Sequence, residues 1–60
     1  MSSTVRKIDN HEVEIDRTNK LIHISDKSGK LLMSLTEKEL NFGAGIMKKI
    51  KRFFDEKGGF

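Results

Sequence analysis

The sequence predicts an α+β fold, in which an antiparallel sheet of three strands, or four, precedes one long C-terminal amphipathic helix. Two patterns lead to this prediction. Apolar and polar residues alternate through residues 11–35, as they do in strands with one buried face. Apolar residues then recur at helical spacing through residues 37–57. Because the chain has only 60 residues, we expect a single domain over 1–60.

Three segments have the alternation of half-buried strands, and turn-forming residues separate them. They cover about 11–16, 20–25 and 30–35. A weaker alternation over 4–8 indicates a further strand at the N-terminus, with Asp9-Asn10 as its turn. The predicted sheet is therefore a meander.

The apolar positions also predict how the strands pair if both connecting loops, 17–20 and 26–29, contain four residues. Every apolar pair then falls on one face of the sheet, and a slip by one residue would destroy that agreement. The predicted pairs are Ile15 with Ile22, Val13 with Ile24, Ile24 with Leu31, and Ile22 with Met33.

A capping box marks the start of the helix, because Thr36 and Glu39 have the spacing at which each side chain satisfies a free backbone N–H. Leu35 and Leu40 occupy the positions of a hydrophobic staple, and Gly58-Gly59 is a plausible stop. The apolar stripe of the helix consists of Leu40, Ala44, Met47, Ile50 and Phe54, widened by Phe42, Ile46 and Phe53.

The length of this helix creates a conflict. A helix over 37–57 would measure about 31 Å at 1.5 Å per residue, whereas a strand of six residues spans only about 20 Å. Either the helix breaks at Gly43-Ala44-Gly45, or its overhanging part packs on a second copy. For the second case we expect an oligomer interface formed by Phe42, Ala44, Ile46 and Phe53.

Composition narrows the ways in which such a short chain can be stabilised. The sequence has no cysteine and two histidines, so disulfides and thiolate metal sites are excluded, and we expect no metal and no cofactor. Oligomerisation is the remaining way to stabilise so short a chain, so we expect a homodimer or a larger assembly. No apolar run is long enough to span a membrane and no secretion signal is evident, so we expect a cytoplasmic protein.

A basic run lies in the second half of the predicted helix. Lys48, Lys49, Lys51 and Arg52 fall in five consecutive positions of a chain whose net charge is +3. Such residues can neutralise the phosphates of DNA or RNA, or contact an acidic protein. They can equally form the solvated face of a helix that covers a core.

The outer face of the sheet is the second candidate surface. Glu12, Glu14 and Asp16 alternate along one predicted strand, and on the predicted register Glu14 faces His23, which faces Leu32. Leu21 also points outward. The arrangement favours a docking surface that is partly acidic and partly apolar, with ordinary surface neighbours as the alternative.

The sequence contains no recognisable catalytic site and identifies no family. Ser25 lies two residues from His23 on one strand face, about 7 Å away, which is too far for a nucleophile and its base. We therefore expect a non-enzymatic protein. The first hypothesis is a small regulatory or inhibitory module, of phage-type or bacterial character, that binds a protein partner. The alternative is a nucleic-acid-binding protein that uses residues 48–52, and the third is a self-assembling structural subunit.

Overall fold

The computed structural model describes residues 3–60 and confirms the predicted α+β class. Its four strands form one antiparallel sheet in sequence order, and the helices follow them. The strands are β1 (Ser3–Ile8), β2 (His11–Asp16), β3 (Leu21–Ser25) and β4 (Leu31–Leu35), and the helices are α1 (Glu37–Asn41) and α2 (Ile46–Glu56). The weaker N-terminal strand is thus a full member of the sheet.

The first two hairpins follow the sequence prediction. Asp9 and Asn10 connect β1 to β2 with φ angles of 49° and 64°. Positive φ at both positions is what the tightest hairpin turn requires, and Asp and Asn adopt it more readily than most residues. In the second hairpin the loop is 17–20, and β2 and β3 pair as predicted, with Val13 opposite Ile24.

The third hairpin differs from the prediction. Its loop has five residues, 26–30, and a bulge follows it, so that Met33 lies opposite Ile24 and Leu35 lies opposite Ile22. The predicted pairing of Ile24 with Leu31 was therefore wrong by two residues. Because of the same shift, Ile22 pairs with Leu35 and not with Met33 as predicted.

Side-chain hydrogen bonds explain the longer loop. One carboxylate oxygen of Asp26 accepts hydrogen bonds from the Ser28 N–H, the Ser28 hydroxyl and the Lys30 N–H, at 2.9, 2.6 and 3.0 Å. These bonds also lower the pKa of Asp26. Gly29 allows the turn because its φ is 93°. The loop is thus closed by polar contacts that the apolar pattern of the strands does not contain.

The helical segment begins as predicted but is not continuous. The Glu39 N–H donates to the Thr36 hydroxyl oxygen at 3.3 Å, and the Thr36 N–H donates to a Glu39 carboxylate oxygen at 3.0 Å, which confirms the capping box. The single helix over 37–57 is interrupted after α1. Gly45 precedes α2 with φ 63° and ψ −123°, so the break at Gly43-Ala44-Gly45, the other predicted outcome, is the one observed.

The break lets both helices pack on one face of the sheet. α1 contacts β4 and α2 contacts β1. Gly58 and Gly59, both at positive φ, end the second helix as expected. The buried core consists of Val13, Ile15, Ile22 and Ile24 from the sheet and Leu40, Ile50, Phe53 and Phe54 from the helices.

Candidate functional site

The sheet surface that faces away from the helices is the first candidate site, and we call it the open face. Side chains alternate between the two sheet surfaces, so the register assigns each residue to one of them. None of the open-face side chains belongs to the buried core, and no helix of the described residues packs on this surface. The open face comprises Ser3, Val5, Lys7, Glu12, Glu14, Asp16, Leu21, His23, Ser25, Leu31, Leu32 and Ser34.

The structure brings the predicted acidic row and its neighbours together on this face. Glu14 lies between Val5 on β1 and His23 on β3, as predicted for His23. Glu12 lies opposite Lys7 on β1. His23 faces Ser34 rather than Leu32, because the third hairpin is shifted.

A chain of three side chains crosses the open face. The His23 Nε2 lies 3.0 Å from a carboxylate oxygen of Asp16, and its Nδ1 lies 2.8 Å from the hydroxyl oxygen of Ser34. The sequence pattern favoured Glu14 as the partner of His23. The structure instead selects Asp16, which is diagonal to His23 across the strand pair and within reach of an imidazole.

These contacts stabilise Asp16 as a carboxylate. The hydrogen bond from His23 is the largest cause, followed by the side chain and backbone N–H of Asn19, and together they lower the pKa of Asp16 to about 2. Residues of these three types also form hydrolytic triads, in which the histidine relays a proton from serine. In this chain they tie together three adjacent strands, because Asp16, His23 and Ser34 belong to β2, β3 and β4.

We expect Asp16 to make the protein acid-sensitive. Its folded-state pKa lies below the ordinary value of 3.8, so the unfolded chain binds the proton more readily. Its contribution is therefore complete above about pH 4 and is lost as the pH falls through about 2. Urea unfolding between pH 6 and pH 2 should show this loss, and Asp16→Asn should reduce it.

The control for this experiment is Glu12→Gln, on the same strand and the same face. Glu12 makes no side-chain hydrogen bond that the structure records among residues 3–60, so this variant should keep the acid sensitivity. Some sensitivity should also persist in Asp16→Asn, because Asp26 and Glu39 have lowered pKa values. An unchanged pH profile in Asp16→Asn would contradict the assigned role.

The basic run lies on α2, and its members differ in their surroundings. Lys48, Lys49 and Arg52 are exposed, whereas Lys51 is half-buried and pairs with Asp55 at 2.7 Å. Lys49 reaches across to Asp9 at the turn after β1, at 2.9 Å. Two of the four cations are thus engaged within the chain.

A cleft of about 250 Å³ separates α2 from β1. Arg6, which the sequence reasoning missed, donates to Glu56 at 2.9 Å, and its guanidinium lies 4.5 Å from the centre of the Phe53 ring. The sequence did contain one indication of this role. Arg6 lies two residues before Ile8 in the first predicted strand, and alternation therefore places it on the helix-facing side of the sheet. The cleft is lined by Arg6, Ile8, Lys49, Arg52, Phe53 and Glu56.

The residues predicted for an oligomer interface do not share one surface. Phe53 is 1% exposed and belongs to the core of its own chain, and Ile46 packs against that core. Phe42, in contrast, is 81% exposed, and Ala44 is exposed beside it in the break between the helices. Of these four residues, Phe42 and Ala44 are the two that are classed as exposed, and Ile46 is partly buried.

Residues 3–60 contain no group of three or more histidine, aspartate or glutamate side chains that could hold a metal ion. No helix in the same range combines the length and apolar character that are needed to cross a bilayer. No protein-family model, curated protein or solved structure matches the chain.

Proposed function

We propose that this protein is a non-catalytic regulatory or inhibitory module that binds a protein partner through its open face. The observation that carries the proposal is the composition of that face. Carboxylates stand at its centre on β2, and exposed apolar side chains flank them, with Val5 56% exposed and Leu32 49% exposed. Protein interfaces commonly combine apolar contact area with complementary charges.

The same composition defines the chemistry of the partner. Asp16 is already occupied by His23 and Asn19, whereas Glu12 and Glu14 point away from the core with charge to offer. A basic segment that also carries apolar side chains would complement both parts of the face. The partner surface is therefore a lysine- or arginine-bearing segment with aliphatic residues.

Fluorescence anisotropy with a labelled peptide of alternating lysine and leucine tests this directly. We expect binding of this peptide and no binding of a matched peptide with glutamate in place of lysine. Reversing the central charge of the row, in Glu14→Lys, should weaken binding by about tenfold, because the reversal replaces an attraction by a repulsion. Glu37→Lys, with the same change of charge on α1, is the control and should bind as the original protein does.

Equal affinity for the lysine and glutamate peptides would overturn the charge argument. Equal loss in the open-face variant and in the Glu37→Lys control would show that net charge alone, and not the acidic row, controls binding. Raising the salt concentration should weaken a specific complex only partly, because its apolar contacts are not screened.

A nucleic-acid-binding role is the second candidate, and the cleft beside α2 favours it. Arg6, Lys49 and Arg52 line that cleft, and Lys48 is exposed on the same helix. Labelled DNA and RNA can be titrated in the same experiment. Micromolar binding that falls steeply with salt, with a flatter slope in Lys48→Ala/Arg52→Ala, would support this role over the first.

A further inference from the structure

We infer that β4 pairs with β4 of a second copy of this chain, so that the two sheets join into one continuous sheet of two copies. The inference does not depend on the proposed function. It rests on the free edge of the sheet, where β4 is the last strand and has a strand neighbour on one side only. Its outward N–H and C=O groups can therefore pair with another strand.

The two edges of this sheet are protected very differently. Charged residues on an edge strand discourage further pairing, and β1 carries Arg6 and Lys7 at its centre, with Arg6 bonded to α2 through Glu56. By contrast, β4 contains no charged residue over Leu31–Leu35. Three of its side chains are large, apolar and about half exposed, at 55% for Leu31, 49% for Leu32 and 44% for Met33.

A two-fold axis at Met33 gives a register for the regular part of β4, beyond its bulge. In antiparallel pairing, residues directly opposite each other point to the same face, so the pairing must keep open-face residues opposite open-face residues. An axis at Met33 satisfies this condition for Leu32, Met33 and Ser34, whereas Leu31 lies in the bulge, on the same face as Ser25, and stays outside the regular pairs. The pairs would be Met33 with Met33 and Leu32 with Ser34, each with its counterpart in the second copy.

Charge complementarity supports the same arrangement. A basic residue, Lys30, precedes β4, and an acidic residue, Glu37, begins the helix that follows it. Antiparallel pairing brings the Lys30 end of β4 in one copy toward the Glu37 end of β4 in the other. The opposite charges thus meet at both ends of the interface, whereas parallel pairing would bring like charges together.

The pairing also covers apolar surface on the helix side of the sheet. Met33 faces that side, opposite Ile24, yet the helices leave it 44% exposed. A two-fold axis perpendicular to the sheet places both copies' helices on one side of the joined sheet. It therefore also joins the two open faces into one wider surface.

Disulfide trapping provides a direct test, since the chain contains no cysteine. Directly opposed residues in antiparallel strands have Cα atoms about 4.5–5.5 Å apart, and a disulfide spans about 4.4–6.8 Å. The variant Met33→Cys should therefore form a covalent dimer under mild oxidation. It should form at least roughly tenfold faster than in Val5→Cys, which places an exposed cysteine on the other edge, because association raises the local thiol concentration.

Ser34→Cys tests the register. About 7–8 Å would separate this residue from its own counterpart, beyond the reach of a disulfide, so it should cross-link no faster than Val5→Cys. Light scattering on the unmodified protein should show a mass that rises from one chain to two with concentration. A one-chain mass up to millimolar concentration, or equal cross-linking of Met33→Cys and Val5→Cys, would overturn the inference.

These outcomes are separate from those of the peptide titration. If the protein dimerises through β4 but does not bind the lysine–leucine peptide, the β4 pairing is supported and the proposed function is contradicted. Peptide binding by a protein that stays monomeric would do the reverse.

Discussion

Replacing Phe53 by alanine should remove much or all of the free energy that stabilises the fold. The side chain is 1% exposed and lies between the sheet and α2, beneath the guanidinium of Arg6. Removing a buried phenylalanine costs about 3–5 kcal/mol. A chain of 60 residues has a total stability of only about 3–9 kcal/mol, so this single change consumes much or all of it.

Phe42→Ala is the matched control, because it makes the same chemical change in a side chain that is 81% exposed. We expect it to leave the unfolding midpoint nearly unchanged. Circular dichroism and urea titration of both variants measure the difference. Similar destabilisation by the two variants would mean that Phe42, and not Phe53 alone, is buried in the folded molecule.

Replacing Gly45 by L-alanine should destabilise the fold by about 1–3 kcal/mol. Its φ of 63° and ψ of −123° lie where a side chain of L configuration is strained. A Cβ atom added there would meet no atom within 4 Å. The loss of stability therefore comes from the backbone alone. It measures how strongly the fold depends on this backbone conformation between α1 and α2.

The mirror-image residue separates this explanation from others. For D-alanine the angles at Gly45 are equivalent to φ −63° and ψ 123° of an L residue, close to the favoured polyproline region. Chemical synthesis of the short chain can place D-alanine at this position. We expect it to raise the stability by about 0.4–1 kcal/mol, since it restricts the unfolded chain. Equal destabilisation by both alanines would indicate a steric cause instead.

The substitutions of Phe53 and Gly45 should also affect the cleft between α2 and β1. Phe53 forms one wall of the basic cleft, and the turn at Gly45 directs α2 back across the sheet toward β1. The open face, in contrast, depends on the sheet alone. Loss of the break should therefore disturb the cleft more than the acidic row.

Local chemistry was enough to predict much of this protein from its sequence. Alternation identified the strands, and the pairing of Val13 with Ile24 followed from a four-residue loop, since a slip by one residue would turn the apolar side chains to the other face. The capping box at Thr36 and the stop at Gly58 were also readable, because both depend on residues within one turn of the helix. The outward acidic row followed from the same alternation.

Tertiary structure decided the features that depend on contacts between distant residues. The sequence allowed either a break at Gly45 or a continuous helix packed on a second copy, and the burial of Phe53 and Phe54 against the sheet accompanies the break. Arg6 joined the cleft only because the fold places it beside Phe53 and Glu56. The polar loop at Asp26 shifted β4 by two residues, and this shift placed Ser34 opposite His23, with which it forms a hydrogen bond. Periodicity describes neighbours along the chain, and it contains no information about which distant side chains will compete for the same contact.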